Sequence, residues 1–262
     1  MNDPIRFHRH GPVATITLDR PSRKNALDVP GWRQLHDTIR RVADSDARVV
    51  VVTGAGGDFC SGADVSASTG LPEPADRSHP LERMRWISEA VVALHALAKP
   101  VVAKVSGVAV GAGWNLALAC DLVVSTPDAR FSQIFARRGL SLDCGGSWLL
   151  PRLVGLQTAK RLAYLAEIIS GTEAHRIGLV TRLADAAELD NVVDELAAEL
   201  AAGPSIALAQ NKILLHQSSR LSFSDAVRAE NAAQAINFAT DAPAAREVAK
   251  GERPRFAGGW RV

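Results

Sequence analysis

The chain lacks any marked excess of charge: 30 Lys and Arg stand against 28 Asp and Glu, a formal +2. No basic field therefore argues for nucleic acid, and no lysine-rich amphipathic face argues for a membrane surface. Small-molecule chemistry is the expectation that remains. A long apolar run is also missing. The start, MNDPIRFHRH, is polar and charged, and nothing approaches the ~20 residues a bilayer requires, so neither a signal peptide nor a spanning helix is read. A cytoplasmic location is expected. Cysteine is scarce: Cys60, Cys120 and Cys144 are odd in number and lack close paired spacing. That fits small core residues with reduced thiols better than a disulfide frame or a zinc site, and no metal is expected. What the chain does have is length: 262 residues suffice for one large core, or for a core with a smaller appendage.

The most informative stretch runs from Lys99 to Asn115, KPVVAKVSGVAVGAGWN. A Pro marks its entry, a β-branched run (Val101, Val102, Val105) follows as in a buried strand, and glycines then lead to Gly111 and Gly113. Trp114 to Cys120 reads as a buried helix. A strand turning on glycines straight into a helix leaves free backbone N–H groups at the helix start, which suits an oxygen gaining negative charge. The same corner would also serve tight strand-to-helix packing alone.

Ile5–His8 and Val13–Leu18 alternate as two strands around Gly11-Pro12. Asp28 is a plausible N-cap for a helix with Trp32, Leu35, Ile39 and Val42 on one face. RVVVVT, Arg48 to Thr53, is continuous in the way of a strand covered on both faces. It too runs into a small-residue corner, Gly54 to Asp64, so a repeating strand-strand-helix unit is expected whose corners gather at one site. Ser66 to Pro80, with three prolines, reads as a mobile loop that could cover substrate. The next helix, Leu81 to Ala98, places Met84, Ile87, Val91 and Leu94 on one face, with His95 a packed or solvent-edge side chain.

Short strands are read at Asp121–Ser125 and Ala129–Ser132. Asp143 then follows Leu140 and Leu142 and precedes Cys144-Gly145-Gly146-Ser147, where another helix begins. A carboxylate among apolar side chains loses hydration and gains a pKa useful for proton transfer, although an Asp that only caps a Gly-Gly turn has the same spelling. Beyond about residue 185 the composition turns helical, with stripes at Leu189, Val192, Leu196 and Leu200, and at Ile206, Ala209, Ile213 and Leu214. Phe223, Val227 and Ile236 mark a third helix. The chain is read as a 1–185 core and a 186–262 helical region that serves self-association.

Five pieces in register resemble the crotonase (enoyl-CoA hydratase and isomerase) superfamily over essentially the full chain. They are Arg20-Pro21 with Asn25-Ala26-Leu27, Phe59 to Asp64, Gly107 to Gly113, Cys120-Asp121, and Gly145-Gly146-Ser147 to Gly155. The resemblance implies an α/β spiral of strand-strand-helix turns, a helical C-terminal trimerisation region, and trimers or dimers of trimers. It implies an acyl-CoA thioester substrate, with coenzyme A as part of that substrate and no separate cofactor. Backbone N–H groups of Ala63 and Ala112 map onto the family's pair that holds the thioester oxygen. Arg23 and Lys24, and the backbone at Asp64, Val65 and Ser66, map onto its coenzyme A contacts, and Lys250 and Arg253 onto basic residues that reach phosphates. Gly111, Asn115 and Phe135 are counted with the residues that meet substrate.

Hydratases of that family carry two glutamates, and their positions are Asn115 and Phe135 here. An amide and a benzene ring do not exchange protons near neutral pH, which argues against ordinary hydration. Asp143 stands where isomerases resembling the phenylacetate-pathway enzyme carry an aspartate, with Leu142 in place of their proline. One carboxylate suffices to move a double bond, so Asp143 is read as the acid-base residue. Rival readings are an atypical hydratase or lyase and a non-catalytic acyl-CoA binder. Cys144 as a nucleophile would need a base that the sequence does not place nearby. A dinucleotide site is disfavoured because Gly107 to Gly113 is spaced GxxxGxG rather than GxGxxG.

Overall fold

The computed structural model describes residues 3–64, 80–242, 254 and 256. In chain order its strands are β1 (Ile5–His10), β2 (Val13–Leu18), β3 (Val49–Gly54), β4 (Val101–Val105), β5 (Val108–Val110), β6 (Leu122–Ser125), β7 (Arg130–Ser132), β8 (Ile169–Ser170) and β9 (Arg182–Leu183). The α-helices are α1 (Val29–Ala43), α2 (Pro80–Ala96), α3 (Ala112–Leu118), α4 (Gly146–Leu165), α5 (Gly171–Arg176), α6 (Leu189–Ala202), α7 (Ser205–Ser218) and α8 (Phe223–Ala239).

One sheet runs β1-β2-β3-β4-β6-β9, antiparallel only between β1 and β2, and a second runs β5-β7-β8. Strand-strand-helix turns such as β4-β5-α3 step from the first sheet to the second. Parallel strands need covered crossovers, so both faces of β3 are buried. Val50 and Val52 join a core with Trp32, Leu35 and Ile39 of α1 and Ile87, Val91 and Leu94 of α2. Val49 and Val51 face the other way, onto Leu189, Val193, Ala197 and Ala201 of α6. Asp28 caps α1 by accepting from the Gly31 N–H at 2.9 Å, an interaction worth about 1 kcal/mol.

Two expectations change here. The sheet's second face is covered by α6, the first helix of the region read as 186–262. The face that α6 buries is one residue off the leucine stripe: Val193, Ala197 and Ala201 are buried, while Val192, Leu196 and Leu200 flank them. Small side chains let the helix lie close on a flat valine surface. Pro80 opens α2 rather than closing a loop, and the rest of the expected Ser66 to Pro80 loop lies outside the described residues.

Candidate active site

The site begins with the loop after β2. Asn25 is fully buried and left-handed (φ 56), its Oδ1 accepting from the Arg20 N–H at 2.9 Å. Its Nδ2 donates to the carbonyls of Ala55 and Asp58. The Arg20 guanidinium donates to the Ala26 carbonyl at 2.7 Å and pairs with Asp64 at 3.0 Å. This loop holds Leu27 against Ala63: the Leu27 N–H donates to the Gly62 carbonyl and the Asp64 N–H to the Leu27 carbonyl, each at 2.9 Å. In that parallel pattern the residue opposite, Ala63, turns its own N–H to the other side.

The second glycine corner stands on that side. A Cβ on Gly62 would lie 2.9 Å from the Val110 oxygen and 3.4 Å from the Ala112 nitrogen, so the two corners are in contact. Gly111 adopts φ 57, ψ −124, a conformation that an L side chain rarely takes, and a Cβ there would meet the Phe135 ring at 3.6 Å. The first bond of α3 runs from the Asn115 N–H to the Gly111 carbonyl at 3.0 Å, which leaves the Ala112 N–H ahead of the helical ladder. No hydrogen bond among the described residues engages the N–H of Ala63 or of Ala112.

Both alanines line a cleft of about 440 Å³ together with Arg23, Asp64, Gly111, Phe135 and Asp143. Arg138 and Leu140 complete one wall. Sequence reasoning missed Arg138, although the Arg137-Arg138 pair before Gly139 was a visible signal. Asp143 is half-buried, its Oδ1 is buried without a hydrogen-bond partner, and burial raises its pKa above the usual carboxylate range against a smaller lowering by the hydrogen bond with the Cys144 thiol. Cys144 itself sits at φ 47, 5% exposed, and burial with the adjacent carboxylate pushes its pKa up, so the thiolate needed for nucleophilic attack is suppressed. The other thiols are buried as well, that of Cys60 pushed up to about 12.

Other expected residues fall elsewhere. Asn115 is fully buried behind the cleft rather than in it, with its amide bonded to the Asp143 carbonyl and to Gln133. Lys24 is beside the cleft but not among its lining residues; its carbonyl accepts from the Ser61 N–H and its Nζ is 3.9 Å from Asp58. Val65, Ser66, Lys250 and Arg253 lie outside the described residues. His95 stacks on His216 at 4.0 Å and meets Trp148 edge-on, away from the cleft.

A parallel sheet that feeds glycine corners, with two unpaired amides and a half-buried carboxylate on one cleft, defines an α/β fold of the crotonase type. The sequence model described as enoyl-CoA hydratase/isomerase matches residues 8–251. A probable enoyl-CoA hydratase of Rhodobacter capsulatus is 39% identical over 81% of this chain and 80% of its own. The 1,2-epoxyphenylacetyl-CoA isomerase of Escherichia coli is 36% identical over 79% and 80%. The crystal structure of a putative enoyl-CoA hydratase/isomerase from Mycobacterium abscessus superposes with a TM-score of 0.90 at 33% identity, covering 97% of this chain and 99% of that one. The chain belongs to the enoyl-CoA hydratase/isomerase family of acyl-CoA enzymes. None of its described helices is long and apolar enough to cross a membrane.

Proposed function

We propose that the protein is an enoyl-CoA isomerase that moves a double bond from the β,γ to the α,β position of the acyl group. The Asp143 carboxylate takes a proton from the α carbon, and the electron pair passes into the thioester carbonyl to give an enolate conjugated with the double bond. The same carboxyl then returns the proton to the γ carbon as the electrons flow back, leaving the double bond between α and β. The Ala63 and Ala112 N–H groups hold the enolate oxygen, and such donors stabilise the developing charge more than the ground state. Coenzyme A enters as part of the substrate, with Arg23 at the cleft mouth. The exposed apolar side chains of the helical region, Leu215, Phe223 and Phe238 among them, support self-association of the chain.

The observation that carries this reading is the partnerless buried oxygen of Asp143 on the same cleft as two unengaged amides. Two assays test it. Asp143→Asn should lose at least about two powers of ten in 3-enoyl-CoA isomerisation, the low end of a general-base contribution. Unchanged turnover removes Asp143 from the mechanism. Loss of the conjugated absorbance of crotonyl-CoA measures hydration, the reaction named for several relatives. Efficient hydration by the wild type with no isomerisation replaces this reading by the hydratase one.

A further inference from the structure

The Asp143 segment is pinned from behind by a chain of buried amides that takes no part in the cleft. Asn115, one turn into α3, donates from Nδ2 to the Asp143 carbonyl at 2.8 Å, and the same carbonyl accepts from the Gly146 N–H at 2.9 Å. The Oδ1 of Asn115 accepts from Gln133 Nε2 at 2.8 Å. Both amide residues are fully buried. The orientation of the chain follows from its end: a carbonyl can only accept, so Asn115 must turn its NH2 group to Asp143 and its oxygen to Gln133, which must then donate. Gly146 is packed so closely that a Cβ there would fall 2.5 Å from Asn115 Nδ2.

The chain therefore ties three walls of the cleft together: α3, which begins at Ala112; the segment of Gln133 that leads into Phe135; and the loop that carries Asp143. Cys144, the next residue, is held left-handed at φ 47, a conformation that persists in a non-glycine residue only where its surroundings enforce it. We infer that Asn115, oriented by Gln133, is the positioning residue that fixes the Asp143 carboxylate over the cleft. This rests on the reading of Asp143 as the proton carrier. Asn115 acts through the main chain of Asp143 and meets no reacting atom; its effect is on where the carboxylate stands and how much water reaches it.

The test uses Asn115→Leu, which keeps the branched shape and the number of heavy atoms and removes the donor, and Gln133→Met, which removes only the group that orients Asn115. Gln133→Met also deletes an Oε1 that is buried without a partner, so it offsets part of its own cost to folding. Isomerisation is followed at temperatures well below each variant's Tm. A displacement of about 1 Å at a reacting group costs about 100-fold, so kcat should fall about 10- to 100-fold in Asn115→Leu and less in Gln133→Met, with KM within about twofold. The acid limb of the kcat/KM profile should also move to lower pH as water reaches the loosened carboxylate. A purely structural role would lower Tm and leave the shape of that profile alone. Superimposable pH profiles, or kcat within about threefold of wild type in both variants, overturn the inference. If Asn115→Leu does not fold, Gln133→Met decides. Asp143→Asn, run in parallel, separates the two failures: if it retains turnover, the proton-carrier reading falls, whereas if it is inactive while the amide variants are normal, only the positioning role falls.

Discussion

Gly113 offers a direct test of whether strand-to-helix contact sets the geometry of the cleft. It stands in the first turn of α3, where a Cβ would lie 2.2 Å from the Cys60 oxygen and 2.8 Å from the Cys60 Cβ. In an open helix Gly→Ala would stabilise by about 1 kcal/mol. Here the contact decides the sign. Because Cβ contacts under 3.0 Å are essentially never seen, α3 or the Cys60 segment must retreat by about 0.8 Å. Such overpacking costs about 1–3 kcal/mol, which at about 2–4 °C per kcal/mol for a chain of this size lowers Tm by several degrees. The Cys60 segment leads to Ala63 and α3 begins at Ala112, so the retreat also separates the two amides, and kcat for isomerisation should fall about 100-fold. Gly57→Ala is the control. Its φ is 87 but nothing lies within 4 Å of the added methyl, so it should lose about 1–2 kcal/mol of stability and keep its kcat. Thermal melts and turnover of 3-enoyl-CoA check both. A folded Gly113→Ala enzyme with kcat within about threefold of wild type would refute the argument.

The stacked pair His95 and His216 should make stability fall in mild acid. Burial depresses the pKa of both, with Lys212 adding to the effect at His95 and the His95 charge adding to it at His216; Asp121, paired with Lys212, opposes. A depressed base binds its proton more tightly unfolded, so the contribution is complete above the unfolded histidine pKa of about 6.5 and is lost as pH falls through the lower folded values. Tm measured from pH 8 to 5 should drop at the acid end in wild type and less in His216→Gln; equal slopes would sink the assignment. Asp143→Asn should be more stable than wild type at neutral pH, because the folded pKa of Asp143 is raised and its ionised form is disfavoured by folding. The gain should vanish below about pH 4, where the carboxyl is protonated in both states, and a less stable Asn variant at pH 7 would contradict a raised folded pKa at Asp143.

Much of the core was legible because single segments carried it. Val49 to Val52 had to be buried on both faces, and the structure sends alternate valines to two cores. Trp32, Leu35, Ile39 and Val42 all lie buried on α1 as their spacing required. Where helices meet surfaces through small residues the reading slipped, as on α6, because alanine carries little hydrophobic signal and the eye follows leucine. Met84, read as part of the α2 face, is 37% exposed at the helix's first turns. The cleft was legible as two glycine corners, since strained or crowded backbone leaves glycine in the letters. The bond from Asn115 to Asp143 was not. It joins residues 28 apart through a main-chain acceptor, which no spacing rule encodes, and so a side chain expected to meet substrate is spent on the scaffold.

That placement bears on which chemistry the cleft can perform. The donors on Ala63 and Ala112 belong to the main chain, so exchanging either alanine for another non-proline residue keeps the N–H, and in the proposed reading they hold the oxygen of a thioester in any reaction that puts charge there. The choice among such reactions falls to the titratable side chains on the cleft, which among the described residues are Arg23, Asp64, Arg138 and Asp143. Arginine stays protonated at any working pH, and Asp64 is held by Arg20 at 3.0 Å. Asn115 would ordinarily be counted as a further polar group, yet both ends of its amide are engaged behind the wall. Adding water across a double bond needs one group to activate the water and one to deliver a proton, whereas moving a double bond needs one group that does each task in turn. In the proposed reading Asp143, whose Oδ1 has no hydrogen-bond partner, does both tasks, which supports the isomerase reading over the hydratase one.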